Sequence, residues 1–339
     1  MAIPYRTRRN LGRFGVVVLV LILVALLAVL CWILWLGRYR VFTDNGIRFD
    51  FDHSSTEMSG QRAEPPAPKE TVSIYYNEGE NAVDVNQELT QLSGYYISSK
   101  DLAGDLQLLK EQIQQLPPEM AIMVEVKNIR GEFNYATAVG DYFNNNVDQH
   151  QVEEFLSYLN RSGRYVIASL PAFQDRMYGL NNVDEGLFST AGAFLYMDDE
   201  GCYWLNPSSE KVIGYLAQIA TELRLMGFDE VVFDKFLFPD SQYYRFNGVK
   251  SEALASAAAT LVQTCGGKTF AVSFASTPEL ELPEGRSRLY LRDVDAGRVD
   301  NVMEEVTVPE LTINLVFLTE FHDTRYDACG ALRPITAMK

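Results

Sequence analysis

The stretch Gly227-Phe228-Asp229-Glu230-Val231-Val232-Phe233-Asp234-Lys235-Phe236-Leu237-Phe238-Pro239-Asp240 decides how this chain folds. Val231, Val232 and Phe233 are β-branched or aromatic, and so short an apolar run predicts a buried strand. Asp234 follows at the C-terminal end of that strand, and Pro239 closes the connection before the next helix. In a parallel α/β barrel the C-terminal ends of the strands line the mouth where chemistry is done. Asp234 is therefore a candidate catalytic carboxylate. The plainer reading has it cap a turn or pair with Lys235, since carboxylates are common where strands run into loops.

Outward from this stretch, strands and helices alternate. Gly94–Ser98, Ala121–Val126 and Tyr165–Leu170 predict three strands before it; Thr269–Ala275, Leu289–Val294, Ile313–Leu318 and Arg333–Thr336 predict four after it. Leu102, Leu106, Leu109, Ile113 and Leu116 recur at helical spacing and predict a helix over 101–116, with Asp101 as N-cap and Pro117-Pro118 as its stop. Helices are also predicted over 151–159, 208–226 and 251–265. This alternation predicts a (β/α)8 TIM barrel. An open doubly wound sheet would carry a Gly-rich phosphate loop after its first strand, and Tyr95-Tyr96-Ile97-Ser98-Ser99-Lys100 is not one. The final barrel helix is expected to be missing or replaced.

The N-terminal segment sets the expected compartment. Residues 14–37 carry no charge and are dense in Val, Leu and Ile. At ~1.5 Å per residue they would span ~36 Å, enough for a ~30 Å hydrocarbon core. Trp32, Trp35 and Tyr39 sit where an interfacial aromatic belt would lie. The run is longer than the apolar region of a cleaved signal peptide, and no small-x-small site follows it cleanly. The reading is an uncleaved anchor, with residues 1–13 as a cytoplasmic tail and 14–37 as a transmembrane helix. Residues 38–70 then form a stalk containing Pro65-Pro66-Ala67-Pro68, and residues 71–339 form the barrel. A short strand in 44–52 and another over 72–76 are further expectations. Arg6, Arg8, Arg9 and Arg13 precede the span, against Arg38 and Arg40 after it, so the N-terminus is expected inside and the rest extracytoplasmic.

Charge agrees with that division. The whole chain is −16, and the first forty residues contribute six Arg and no acid, which leaves the remainder near −22. So acidic a domain argues against nucleic acid and against direct binding to anionic lipid. Among the four cysteines, Cys31 lies in the anchor, and Cys202, Cys265 and Cys329 cannot all pair with one another. Buried or free thiols are the expectation. There is no Cys-x-x-Cys and no Cys/His cluster to hold zinc, no evenly spaced Asp/Asn run for calcium, and no cofactor motif.

The opening stretch resembles the GFDEIxFDYxRFP signature of a bacterial glycoside hydrolase-like (β/α)8-barrel family. Gly227-Phe228-Asp229-Glu230, Phe233-Asp234 and Phe238-Pro239 match it; Lys235 and Leu237 stand where that family has Tyr and Arg. The resemblance extends over roughly 93–275. It implies a carbohydrate-active barrel with an acid at Glu125 and a basic partner at Lys127. By period two these side chains would share a side of their strand, either as a sugar-contacting pair or as a buried structural one. Phe173 and Asp175 match the family's ARxxxFxD, with Ser169 in place of Arg. Trp204-Leu205-Asn206-Pro207 matches its WLDP, with Asn206 in place of Asp. Trp204 is either a sugar-stacking platform or a packing residue.

Glycoside hydrolysis needs two carboxyl groups, ~5–5.5 Å apart for retention and ~6.5–9.5 Å for inversion. The resemblance implies an acid after the fifth strand, but Val272–Thr277 contains none. Glu125, Glu320 and Asp323 are the candidate partners of Asp234. Lys127, Asp175, Trp204, Asn206 and Lys235 are the candidate substrate contacts. Two readings follow: a membrane-anchored hydrolase acting on a polysaccharide or cell-wall glycan, or an inactive barrel that binds a glycan or a protein. A third has the anchor and stalk as the working parts of a structural envelope protein.

Overall fold

The computed structural model describes Ala25, Val29, residues 40–43, 46–49 and 88–338. Two compact units are distinguished, Met1–Thr71 and Val72–Lys339. In the first, Arg40–Thr43 and Gly46–Phe49 form an antiparallel hairpin, with Arg40 opposite Phe49 and Thr43 opposite Gly46. Its second strand falls in the segment expected to hold one. The expected anchor, Ala25 and Val29 apart, lies outside the described residues, as do the stalk's proline run and the strand at 72–76. Among the described residues no helix is long and apolar enough to cross a membrane.

The second unit is a closed barrel of eight parallel strands. These are β1 (Ser93–Ile97), β2 (Ala121–Glu125), β3 (Val166–Pro171), β4 (Glu230–Asp234), β5 (Ala271–Ala275), β6 (Leu289–Arg292), β7 (Leu315–Leu318) and β8 (Gly330–Pro334). Each pairs with its neighbours in chain order, and β8 closes on β1 with Ala331 opposite Ser93. Four long helices, α1 (Leu106–Gln115), α2 (Gln149–Asn160), α3 (Glu210–Leu225) and α4 (Lys250–Cys265), follow the first four strands. The second half is leaner. The β5–β6 connection carries no helix, α5 (Val299–Glu305) is short, and β7 reaches β8 through a 3-10 turn. After β8 a 3-10 turn, Ile335–Met338, stands where a final helix would be.

Strand periodicity sorts the core. Ala121, Met123, Ile167, Val232, Tyr290, Val316 and Leu332 fill the barrel, while Ile122, Val124, Val166, Ala168, Val231 and Phe233 face the helices. The helix expected over 101–116 is in fact two. Ser99–Leu102 ends at Ala103, and α1 restarts because Asp105 caps it, accepting from Gln107 N (2.9 Å) and Leu108 N (3.1 Å). Asp101 instead completes a capping box with Ser98. The last strand also shifts, from the expected 333–336 to Gly330–Pro334, because Gly330–Leu332 pair with Val316–Leu318 of β7 and Ala331–Pro334 with Ser93–Tyr96 of β1.

Candidate active site

Four inward side chains end the barrel's interior at its C-terminal mouth: Tyr96 (β1), Glu125 (β2), Asp234 (β4) and Arg292 (β6). With Lys235, Asp293, Ser169 and Pro171 they line a cavity of ≈ 310 Å³. Asp234 receives both arms of the Arg292 fork, Nε on Oδ1 at 3.0 Å and Nη2 on Oδ2 at 2.8 Å. Its Oδ1 also accepts the Lys235 N–H at 2.8 Å, so the turn-capping role expected of it is present beside the ion pair. The pair spans β5, whose inward residues in the described core are small: Ser273 and Ala275 leave the gap through which β4 and β6 side chains meet.

The backbone is strained at both ends of this pair. Lys235 (φ 51°) and Asp293 (φ 54°) are the non-glycine residues with positive φ among those described, and each directly follows one partner of the pair. That conformation costs an L residue roughly 1–3 kcal/mol and collects at functional sites.

Glu125 occupies a different environment. Its Oε2 accepts the Ser99 N–H at 2.6 Å. Burial raises its proton affinity above that of an ordinary glutamate; Ser99 pulls the other way, and the neighbouring Asp234 adds to the rise. Tyr96 is likewise raised, chiefly by burial against an opposing Arg292, and so is a phenol at neutral pH. The mouth thus offers one carboxyl group biased towards holding a proton, one carboxylate gripped by a guanidinium, a phenolic hydroxyl and a lysine. Among the described residues the Lys235 ammonium makes no ion pair.

The other expected residues lie elsewhere. Lys127 does not pair with Glu125: β2 ends at Glu125, the chain turns out of strand register, and Lys127 instead meets Asp175 with both side chains fully buried. Asp175 also caps the helix Arg176–Asn181, accepting from Tyr178 N at 2.8 Å. Trp204 is 6% exposed and packs in the core, its indole N–H donating to Asp198 at 2.7 Å. Asn206 forms the turn before α3, accepting from Ser208 N at 3.0 Å. Glu320 and Asp323 line an adjoining cavity of ≈ 360 Å³ that shares Asp293 with the first. Asp323 is taken up by Arg325, with contacts of 2.8 and 2.7 Å that hold its pKa far below the usual carboxylate range. Cys202, Cys265 and Cys329 are buried free thiols; burial pushes Cys202 up to about 12 and the other two to about 11. Among the described residues no group of three or more His, Cys, Asp or Glu is placed to hold a metal.

The sequence reading missed Arg292 and Tyr96. Arg292 lies at a strand end, as Asp234 does, and that position was its available signal.

A family profile described as "Putative glycosyl hydrolase domain" matches residues 94–264, from β1 through α4. The chain belongs to this family. The match takes in Glu125 and Asp234 and stops before β6, so Arg292 lies outside it. No curated protein matches the chain. Among solved structures, a hypothetical protein from Ruminiclostridium thermocellum is 22% identical, with 53% of this chain and 96% of that one covered and a TM-score of 0.46. The α-galactosidase of Lactobacillus brevis is 14% identical over 73% of this chain at a TM-score of 0.47; the match spans only 38% of that enzyme. The glycoside hydrolase domain of PelA from Pseudomonas aeruginosa is 13% identical, with 70% and 86% covered and a TM-score of 0.41. These are likenesses of fold.

Proposed function

We propose that this family member acts on a glycan at the cavity between Glu125 and Asp234, as a membrane-anchored glycoside hydrolase-like protein. The observation that carries this reading is the pairing of unlike carboxyl groups in one cavity at the C-terminal mouth. Glu125 is biased by burial towards the protonated form, and Asp234 is held by Arg292. Environments that push two carboxyl groups apart suit one as proton donor to a leaving oxygen and the other as the charge facing the sugar's anomeric carbon. Tyr96 and Lys235 are placed to contact ring hydroxyls, and a cavity of ≈ 310 Å³ suits a sugar unit or two. Glu320, on the rim of the adjoining cavity, would meet the same chain further along.

In this reading residues 14–37 hold the protein in the membrane, residues 1–13 are cytoplasmic, and the barrel faces the envelope at the end of the 38–70 stalk. The uncharged span and the arginines before it support that arrangement.

One observation favours a second reading. The Arg292 fork covers both oxygens of Asp234, and the Lys235 N–H takes a further lone pair. An Asp so occupied suits a barrel that binds glycan without cleaving it. The discriminating experiment incubates the detergent-solubilised full-length chain, its Glu125→Gln and its Asp234→Asn variants with a panel of aryl glycosides and envelope polysaccharides. Turnover reduced ~10²–10⁴-fold in the variants supports the hydrolase. Binding in all three without turnover supports the binding module. Neither binding nor turnover by the wild-type chain removes the glycan reading.

A further inference from the structure

The mouth leaves unexplained why Lys127 and Asp175, both matched to the family's pattern, are buried in full outside the cavity. Their neighbourhood supplies a use. Lys127 sits over the ring of Tyr215 on α3, 5.3 Å from its centroid, and over Phe133 at 5.7 Å. Tyr215 in turn stacks on Tyr178, with centroids 4.1 Å apart and planes 23° from parallel. Asp175 pairs with Lys127, caps the helix that carries Tyr178 and hydrogen-bonds Tyr215. The buried ion pair thus fixes two tyrosine rings. Gly131 (φ 83°) lets the β2 loop close over this frame; a Cβ there would come within 2.3 Å of the Asp175 carboxylate.

The rings open on a cavity of ≈ 280 Å³, lined also by Tyr142, Asn181, Asn182 and Asp141. Tyr142 is 39% exposed, and its hydroxyl accepts from Asn181 Nδ2 at 2.9 Å. Asn182 Nδ2 donates to the Tyr178 carbonyl at 3.0 Å. Among the described residues the Asn181 and Asn182 side-chain carbonyls and the Asp141 carboxylate receive no hydrogen bond. The pocket therefore presents aromatic rings beside an excess of acceptors. The complementary ligand has an apolar face and several hydroxyl donors, which describes a pyranose ring.

We propose that this pocket is a second glycan subsite, which holds a neutral sugar unit remote from the one at Glu125 and Asp234. The inference rests on the glycan reading above. Both pockets are built on the same loop, with Ile129 in the mouth and Gly131 two residues on in this pocket, so one oligosaccharide can engage the two in succession. Two linked contacts gain affinity through effective concentration without any new contact at either.

The test measures binding of the full-length chain to immobilised neutral hexasaccharides, α- and β-linked hexoses and N-acetylhexosamines. The proteins compared are the wild type, Tyr142→Ala, Tyr142→Phe and Asn181→Ala. The expected result is roughly five-fold weaker binding in both alanine variants and retention in Tyr142→Phe, the factor that ~1 kcal/mol of contact represents. Affinity for a single-sugar aryl glycoside should stay within about twofold in all of them, since that ligand fills the mouth alone. Hexasaccharide binding unchanged in Tyr142→Ala and Asn181→Ala overturns the subsite and leaves the mouth intact. Displacement by tetramethylammonium but by no sugar also overturns it, because the rings would then be serving a cation. A wild-type chain that binds no hexasaccharide and no aryl glycoside removes the glycan reading itself.

Discussion

Two arginine–carboxylate pairs bridge the same two strands, four residues apart. At the foot of the barrel Glu230 on β4 meets Arg288 just before β6; at the mouth Asp234 meets Arg292. The foot pair is sealed, at 0% and 1% exposure, and every neighbour serves it. Tyr165 and Tyr290 each donate to Glu230 at 2.9 Å, and Arg288 reaches the carbonyls of Ile313 (3.1 Å) and Thr90 (2.9 Å). The mouth pair is open, at 18% for Asp234 and 36% for Arg292, beside strained backbone and a cavity. The same chemistry on the same strands therefore sits in two different surroundings. At the foot the network is complete and sealed from solvent; at the mouth the pair is partly exposed beside the cavity proposed to take the glycan.

Breaking the foot pair should have the largest effect. Glu230→Gln leaves a buried guanidinium without its counter-charge, and a loss of about 3–5 kcal/mol in unfolding free energy is expected by urea denaturation. A loss below about 1 kcal/mol would erase the contrast between the two ends. Next comes Ala275→Leu, which fills the gap on β5 between Asp234 and Arg292. Overpacking there should cost about 1–3 kcal/mol, and glycan handling should fall with it because the pair is forced apart. Normal glycan handling in a folded Ala275→Leu protein would show that the pair's closure is irrelevant.

The pH dependence separates the mouth's two carboxyl groups. Glu125 has a raised folded-state pKa, so between its unfolded value and that raised value the folded chain holds more protons than the unfolded one. Its contribution to stability is therefore full below an ordinary glutamate's pKa and is lost as pH rises through the raised one. Glu125→Gln should flatten that segment of the stability–pH profile, and turnover that uses Glu125 as proton donor should decline over the same rise. A stability profile unchanged by the substitution would contradict the assignment. The smallest effect is expected from Asn206→Asp, which restores the family's residue at the turn before α3. A carboxylate there adds about 0.3–1 kcal/mol at a helix N-terminus and should leave glycan binding as it was.

The barrel was legible because its strands are short apolar runs separated by helices whose apolar residues recur at the right spacing. Val231–Phe233 before Asp234 is the clearest case, and the place of Asp234 at the mouth end of its strand followed from strand direction. Where the reading slipped, local polar chemistry outweighed periodicity. Asp105 restarted a helix that the leucine spacing ran straight through, and Lys127 left the alternation once β2 ended at Glu125. Asp234 and Glu125 could be named because each sits at a strand end within the family's pattern. Arg292 could not be joined to Asp234, because that contact depends on β5 offering Ser273 and Ala275, and small inward residues leave no chemical signature. Trp204 was open between a sugar platform and a packing residue, and the fold decides for packing, with the indole N–H held by Asp198.

The most direct test pairs two readouts on Asp234→Asn in the full-length chain: glycan turnover and unfolding free energy. Turnover is expected to be lost while stability moves by no more than about 1 kcal/mol, as for a partly exposed ion pair. A stability loss as large as that of Glu230→Gln with turnover intact would contradict that expectation, and would make the mouth pair a second foot.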